Sequence, residues 1–299
     1  NHLLTSIALL LVDTAFADEA VSPLEGPKVN STITSVEEQQ QDKKRPEFRQ
    51  PTDVSGQPVT ATNLPLTPAK GERLVFIGNG LAERMQHFGL FETLLHQHFP
   101  TSEITFETWD FPTTLLDSGP RQDNESLAFP EAKQFHPEIN SHYRKGHYPT
   151  PDEWLTIIEA DTIVAFLGFN ESFHGPEGLA RFRDELAAFI NHTQRKAYNG
   201  KKAPQLVLAT PIAMEQHPDY HLPSAHLRNT DLNRYATAIK EIASLKSVGL
   251  IDLYQPTLTM FGGADSPHTF NGVHLNDQGY AALAPILMST LSGKATSAD

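Results

Sequence analysis

The chain has 299 residues, no cysteine and a formal net charge of −13. The acidic balance and scattered Lys and Arg exclude a nucleic-acid partner or an anionic membrane surface, each of which needs a basic patch. The missing cysteines exclude disulfides, thiol nucleophiles, Cys-ligated zinc and covalent c-type haem.

In chain order the first element is a short apolar run, Leu3 to Val12, ending at Ala15-Phe16-Ala17. About ten apolar residues before an A-x-A site read as a secretory signal and are too short for a membrane span. Residues 1–17 are therefore expected to be a signal peptide, truncated at its start, and the mature chain to be secreted or periplasmic with no membrane insertion. Residues 18–69 are rich in Pro, Thr, Ser, Gln and Glu and include the polar run Glu37 to Lys44. With few recurring apolar positions they cannot offset the entropy of ordering and are expected to form a disordered linker. Draping near Leu64 and Leu66 is the minor alternative.

The domain is expected over 70–292, with a tail at 293–299. Leu74 to Ile77 reads as a buried strand, followed by a turn at Gly78-Asn79-Gly80 and a helix opening at Leu81 and running through Gln86, Leu90, Leu94 and Leu95. Further strands are expected at Ile104 to Trp109, Thr162 to Gly168, Leu206 to Thr210 and Gly249 to Leu253. The near-continuous apolar runs of Thr162 to Gly168 and Leu206 to Thr210 fit parallel strands buried on both faces. Helices are expected after Pro176-Glu177, with Leu179, Phe182, Leu186, Phe189 and Ile190 inward, over Arg228 to Leu245, and from near Asn276. Five strands alternating with helices predict an α/β fold, a three-layer α/β/α sandwich on a five-stranded parallel sheet, with its site at the carboxyl ends of the strands.

Three segments fall at that edge: Gly78-Asn79-Gly80, Gly168-Phe169-Asn170-Glu171 and Asn271-Gly272-Val273-His274, the last continuing as HLNDQGYAALA. In order and placement, from Gly71 to Leu291, they resemble the SGNH (GDSL-type) hydrolase family, in an exported bacterial subgroup with wording such as GFNESF and NGVHLN. The resemblance implies a flavodoxin-like fold, esterase or carbohydrate deacetylase chemistry on acyl esters, a small-molecule ester or polysaccharide as partner, and no cofactor.

Carried over residue by residue, the resemblance places Gly80 at the nucleophilic serine, Asn79 at the aspartate beside it and Asn271 at the triad acid. Asn170 and His274 match the family pattern. The family's glycine after the second strand is not visible, since Trp109 to Thr114 (WDFPTT) occupies that turn. Glycine offers no oxygen to attack a carbonyl, and an amide at 271 carries no charge to support an imidazolium. What the resemblance leaves is an oxyanion-hole-like corner of the Gly80 N–H and the Asn170 amide. The blander readings are a turn-capping Asn170 and a structural loop His274.

Replacement nucleophiles or bases within reach of that edge are Ser172 and Glu171, with Thr113, Thr114, Ser266 and Thr269 behind them. Their blander reading is hydroxyls that cap turns and a surface carboxylate. The polar insert 117–150 reads as a lid or substrate wall. Its His136, His142 and His147, with Glu138, match no compact metal-ligand spacing, so no metal is assigned. Tyr143, Tyr148 and Trp154 would serve as stacking or apolar walls, with core packing the blander reading of Trp154. Two functions follow: a weakened acyl-ester hydrolase, or a catalytically inactive module that binds glycan or carboxylate ligands in the retained cleft.

Overall fold

The structure is a computed structural model that describes residues 48–110, 149–217, 221–222, 224–263 and 266–293. Residues 1–47, which take in the expected signal peptide and most of the expected linker, the expected insert up to residue 148 and the tail beyond 293 lie outside the described residues.

Five strands, β2 (Arg73–Gly78), β3 (Thr105–Asp110), β4 (Thr162–Phe166), β6 (Gln205–Ala209) and β7 (Gly249–Ile251), form a parallel sheet in the order β3-β2-β4-β6-β7. The period of two in a strand divides their apolar runs between two faces. Val75, Ile77, Ile163, Ala165, Leu206 and Leu208 pack on one side. Leu74, Phe76, Val164, Phe166, Val207 and Ala209 pack on the other.

Helices α3 (Pro151–Ile157), α4 (Leu179–Thr193) and α5 (Ala225–Lys246) cover the first face through Leu155, Phe182, Leu186, Phe189 and Ile239. The second face is covered by α1 (Gly80–Arg84), α2 (Leu90–His98) and α7 (Asp277–Ser292) through Ala82, Phe91, Leu95, Leu283, Leu287 and Leu291. The strand order reverses direction on either side of β2, between β3 and β4. The carboxyl end of β2 beside β4 is therefore the switch point, where an open sheet leaves a crevice.

Several elements differ from expectation. The continuous helix expected through Gln86 to Leu95 is broken: after α1 comes a 3-10 turn, Met85–His87, and Gly89, at φ 60°, restarts the chain as α2. A helix α6 (Tyr254–Gly262) was not expected. Residues 48–69, assigned to the disordered linker by composition, are instead laid along the domain. Strand β1 (Thr52–Asp53) pairs antiparallel with β5 (Lys196–Ala197), and Val54, Thr62 and Leu66 are buried. Thr62 Oγ1 accepts from Leu206 N at 3.0 Å, and Leu66 N donates to Leu291 O at 2.7 Å. Three widely spaced contacts of this kind hold a strap without giving it a period that composition could reveal.

Candidate active site

The carboxyl end of β2 is shaped by Gly78. Its φ is 132°, and a Cβ there would stand 2.2 Å from the Phe166 carbonyl oxygen, so only glycine lets β2 and β4 finish this close together. Asn79 N then donates to Phe166 O at 3.3 Å, while Asn79 Oδ1 accepts from Leu81 N at 3.1 Å and caps α1. Gly80 is the first residue of that helix, so its N–H has no acceptor within the helix.

At the end of β4, Asn170 leads into a 3-10 segment, Glu171–Gly178, and its carbonyl accepts from Phe173 N at 3.1 Å. The two residues after it turn away from the cleft. Glu171 is buried and its Oε2 accepts from Gly168 N at 2.9 Å. Ser172 is buried, donates to the Phe169 carbonyl at 2.5 Å and accepts from Arg228 Nη2 at 2.7 Å. Arg228 in turn lies 3.8 Å from the ring centre of the exposed Phe173.

The histidine loop is held from β6. Glu215, buried after that strand, accepts from His268 N at 3.0 Å, Thr269 N at 2.8 Å and Thr269 Oγ1, and its own N–H donates to Gly272 O at 2.8 Å. Phe270 N donates to His274 O at 2.8 Å and closes the turn. Inside it, Asn271 Oδ1 accepts from Val273 N at 3.2 Å and from His274 N at 2.9 Å.

The same amide faces the imidazole. His274 Nδ1 lies 3.2 Å from Asn271 Oδ1 and 3.1 Å from Asn271 Nδ2. An aspartate there would only accept, fixing the proton on Nδ1 and leaving the Nε2 lone pair as the base. An asparagine serves both tautomers, because Oδ1 takes a proton from Nδ1–H and Nδ2–H donates to a bare Nδ1. His274 stands exposed at the cleft mouth, yet partial burial of its ring, followed by the positive charge of Arg84, pushes its pKa below the ordinary value.

These elements enclose a cleft of about 260 Å³ lined by Asn79, Gly80, Arg84, Phe169, Asn170 and His274, with Tyr280 and aliphatic side chains as its floor and walls. Tyr280 donates to Leu81 O at 3.2 Å and stacks on Phe88 with centroids 4.1 Å apart. Its phenol is pushed well up by burial, so it stays protonated and is no nucleophile at neutral pH.

The structure thus brings Gly80, Asn170 and His274 to one cleft, with Asn271 behind the histidine. It does not bring Ser172 or Glu171 there: each is folded inward on backbone groups. Thr269 is clamped by Glu215, and Ser266 Oγ donates to Gln278 Oε1 at 2.9 Å on the surface. Thr113, Thr114 and the histidines and tyrosines of the insert lie outside the described residues. Trp154 packs against the core cluster beneath β4.

Sequence reasoning missed Arg84 and Glu215. Arg84 stands four residues beyond Gly80, one turn along the same helix, and that spacing is the signal that could have placed it beside the cleft. Glu215 carried no local signal, because its partners lie more than fifty residues away.

Comparison with known proteins gives three findings. The GDSL-like Lipase/Acylhydrolase family model matches residues 94–282, more than half of the chain, taking in Asn170, Asn271 and His274 while Gly80 precedes it. Among solved structures, a variant of an acetyl-xylooligosaccharide esterase from Geobacillus stearothermophilus aligns with a TM-score of 0.50 at 12% identity, covering 78% of this chain and 100% of its own. An acetyl xylan esterase aligns at 0.47 and 19% identity, covering 73% of this chain and 98% of its own. A search of the curated proteins finds no match.

Proposed function

The chain belongs to the GDSL-like lipase/acylhydrolase family and has the SGNH-hydrolase fold, and from that premise we propose that it is an exported acyl-ester hydrolase of weakened catalysis in which His274 activates water directly. The observation that carries this reading is the pairing of His274 Nδ1 with Asn271 in a cleft that Asn170 and the first turn of α1 also line. In the tautomer with Nδ1–H donated to Asn271 Oδ1, Nε2 is the free base.

Nε2 removes a proton from water as the water oxygen bonds to the ester carbonyl carbon. The carbonyl π pair moves onto its oxygen, which the Gly80 N–H and the Asn170 amide stabilise as an oxyanion. Collapse of that intermediate breaks the bond to the leaving alkoxide, which takes the proton back from the imidazolium. Asn271 offers no charge to that imidazolium, and this weakens the step.

The pH profile tests the role of the base. An imidazole works only when neutral, and a pKa held below the ordinary value keeps it neutral to lower pH. Turnover of a short acyl ester is expected to rise with pH through a midpoint below 6.5, the ordinary value, and to be flat above neutrality. His274→Ala is expected to remove it. Turnover that persists unchanged in His274→Ala would refute the mechanism. Acetylated xylo-oligosaccharides, the substrate named for the structurally similar esterase, belong in the first panel beside simple esters.

The second reading is an inactive binding module. It is favoured by the absence, among the described lining residues, of any hydroxyl other than that of Tyr280. Wild-type protein that binds ligand in this cleft without turning over any ester of the panel would decide for it.

Export rests on the Leu3 to Val12 run, the A-x-A site and the cysteine-free composition. Expression of the chain from a start codon in a bacterial host is expected to yield a periplasmic or secreted product beginning near Asp18. N-terminal sequencing that finds Leu3 retained on exported protein would overturn this.

A further inference from the structure

The cleft holds a charge that the hydrolysis does not use. Arg84 lines it and its guanidinium hydrogen-bonds the Tyr280 phenol, but its Nε is buried and donates to no protein acceptor, and no carboxylate among the described residues forms an ion pair with it. No Asp or Glu stands among the described lining residues. Nor does either position where the resemblance places an acid supply one: residue 79 and residue 271 are both asparagine. With a neutral imidazole at 274, the described lining carries one positive charge, that of Arg84, in a chain whose net charge is −13. A guanidinium presents Nε–H and one Nη–H side by side, the fork that matches two carboxylate oxygens.

We propose that Arg84 makes this cleft a receptor for carboxylates, so that the ligand is a small acyl ester or acid bearing a free carboxylate that docks on the Arg84 fork beside Asn170 and His274. The inference rests on the reading that this cleft is the ligand site, and it deepens that reading by naming the ligand's charge. Two acids at 79 and 271 would repel such a group, whereas two amides accept it. The volume, about 260 Å³, equals that of about nine waters and suits a short-chain acid. The aliphatic walls take the chain of the acid, and the low local dielectric strengthens the pairing with Arg84.

The test titrates the full chain with propionate and with its neutral isostere propionamide at low salt, following the His274 imidazole by NMR. Propionate is expected to bind at least tenfold more tightly than propionamide and to raise the His274 titration midpoint, since its charge offsets Arg84. Arg84→Gln is expected to abolish the preference and Arg84→Lys to keep part of it, with thermal melting confirming that each variant is folded. Equal binding of acid and amide by the wild type, or an acid preference that survives in folded Arg84→Gln, overturns the proposal. Binding and turnover separate the two claims. Acid preference without ester turnover sinks the hydrolase reading alone, and turnover of neutral esters without acid preference sinks this one alone.

Discussion

Gly80→Ser combined with Asn271→Asp is expected to raise the turnover of a short acyl ester about 10³-fold to 10⁴-fold above Gly80→Ser alone. A Cβ at residue 80 meets no atom within 4 Å, so a serine side chain enters open cleft. Its oxygen still needs a base held in one tautomer. Against Asn271 the imidazole is offered both an acceptor at 3.2 Å and a donor at 3.1 Å, and the tautomer with a bare Nδ1 carries its proton on Nε2, where the serine's proton must go. The Asp-to-Asn change in a serine triad costs about 10⁴-fold, so Gly80→Ser alone inherits that loss. Members of a triad act as a unit, and the double variant should exceed the product of the single effects. The measurement is initial-rate hydrolysis of an activated acetyl ester by wild type, both single variants and the double variant. A Gly80→Ser protein that alone reaches ordinary esterase rates would show that Asn271 orients His274 as well as a carboxylate does.

How much of this was legible in the sequence depends on how each residue carries its information. The central strands were readable because burial on both faces leaves a dense apolar signal, as in Thr162 to Phe166, where every residue is buried; the edge strand β3, with Thr105 and Glu107 exposed, was readable only as a run of β-type residues. Gly80, Asn170 and His274 were readable as one site because parallel topology sends the ends of β2 and β4 and the final loop to the same edge. The strap at 48–69 was not, since Val54, Thr62 and Leu66 are spaced with no period. Ser172 and Glu171 are the converse case. Their types and positions fit a nucleophile and a base, but both side chains are taken up by nearby backbone, Ser172 donating to Phe169 O, as short hydroxyl side chains do, and Glu171 accepting from Gly168 N. Arg84 was not singled out, because its place on the expected helix does not say which way it faces; only the tertiary structure shows its Nε buried at the cleft.

Gly78→Ala is expected to destabilise the domain by about 3–5 kcal/mol, whereas Gly80→Ala, two residues on, is expected to change stability by less than about 1 kcal/mol. At residue 78 the backbone stands at φ 132°, and a Cβ would meet the Phe166 oxygen at 2.2 Å, its carbon at 2.9 Å and its nitrogen at 3.0 Å. All three are backbone atoms of the neighbouring central strand, and they cannot move without pulling the β2–β4 register apart. Residue 80 lies in an ordinary helical conformation, with nothing within 4 Å of where its Cβ would be. For a domain of this size each kcal/mol corresponds to about 2–4 °C in Tm, so Gly78→Ala should melt about 10 °C below the wild type and Gly80→Ala within about 3 °C of it. Thermal melts followed by circular dichroism measure both. The comparison bears on function, because a glycine that the backbone does not require leaves the site without a hydroxyl for reasons of chemistry rather than of folding. A Gly80→Ala variant as unstable as Gly78→Ala would instead make the bare position a requirement of the turn, and the case for restoring a serine there would fall with it.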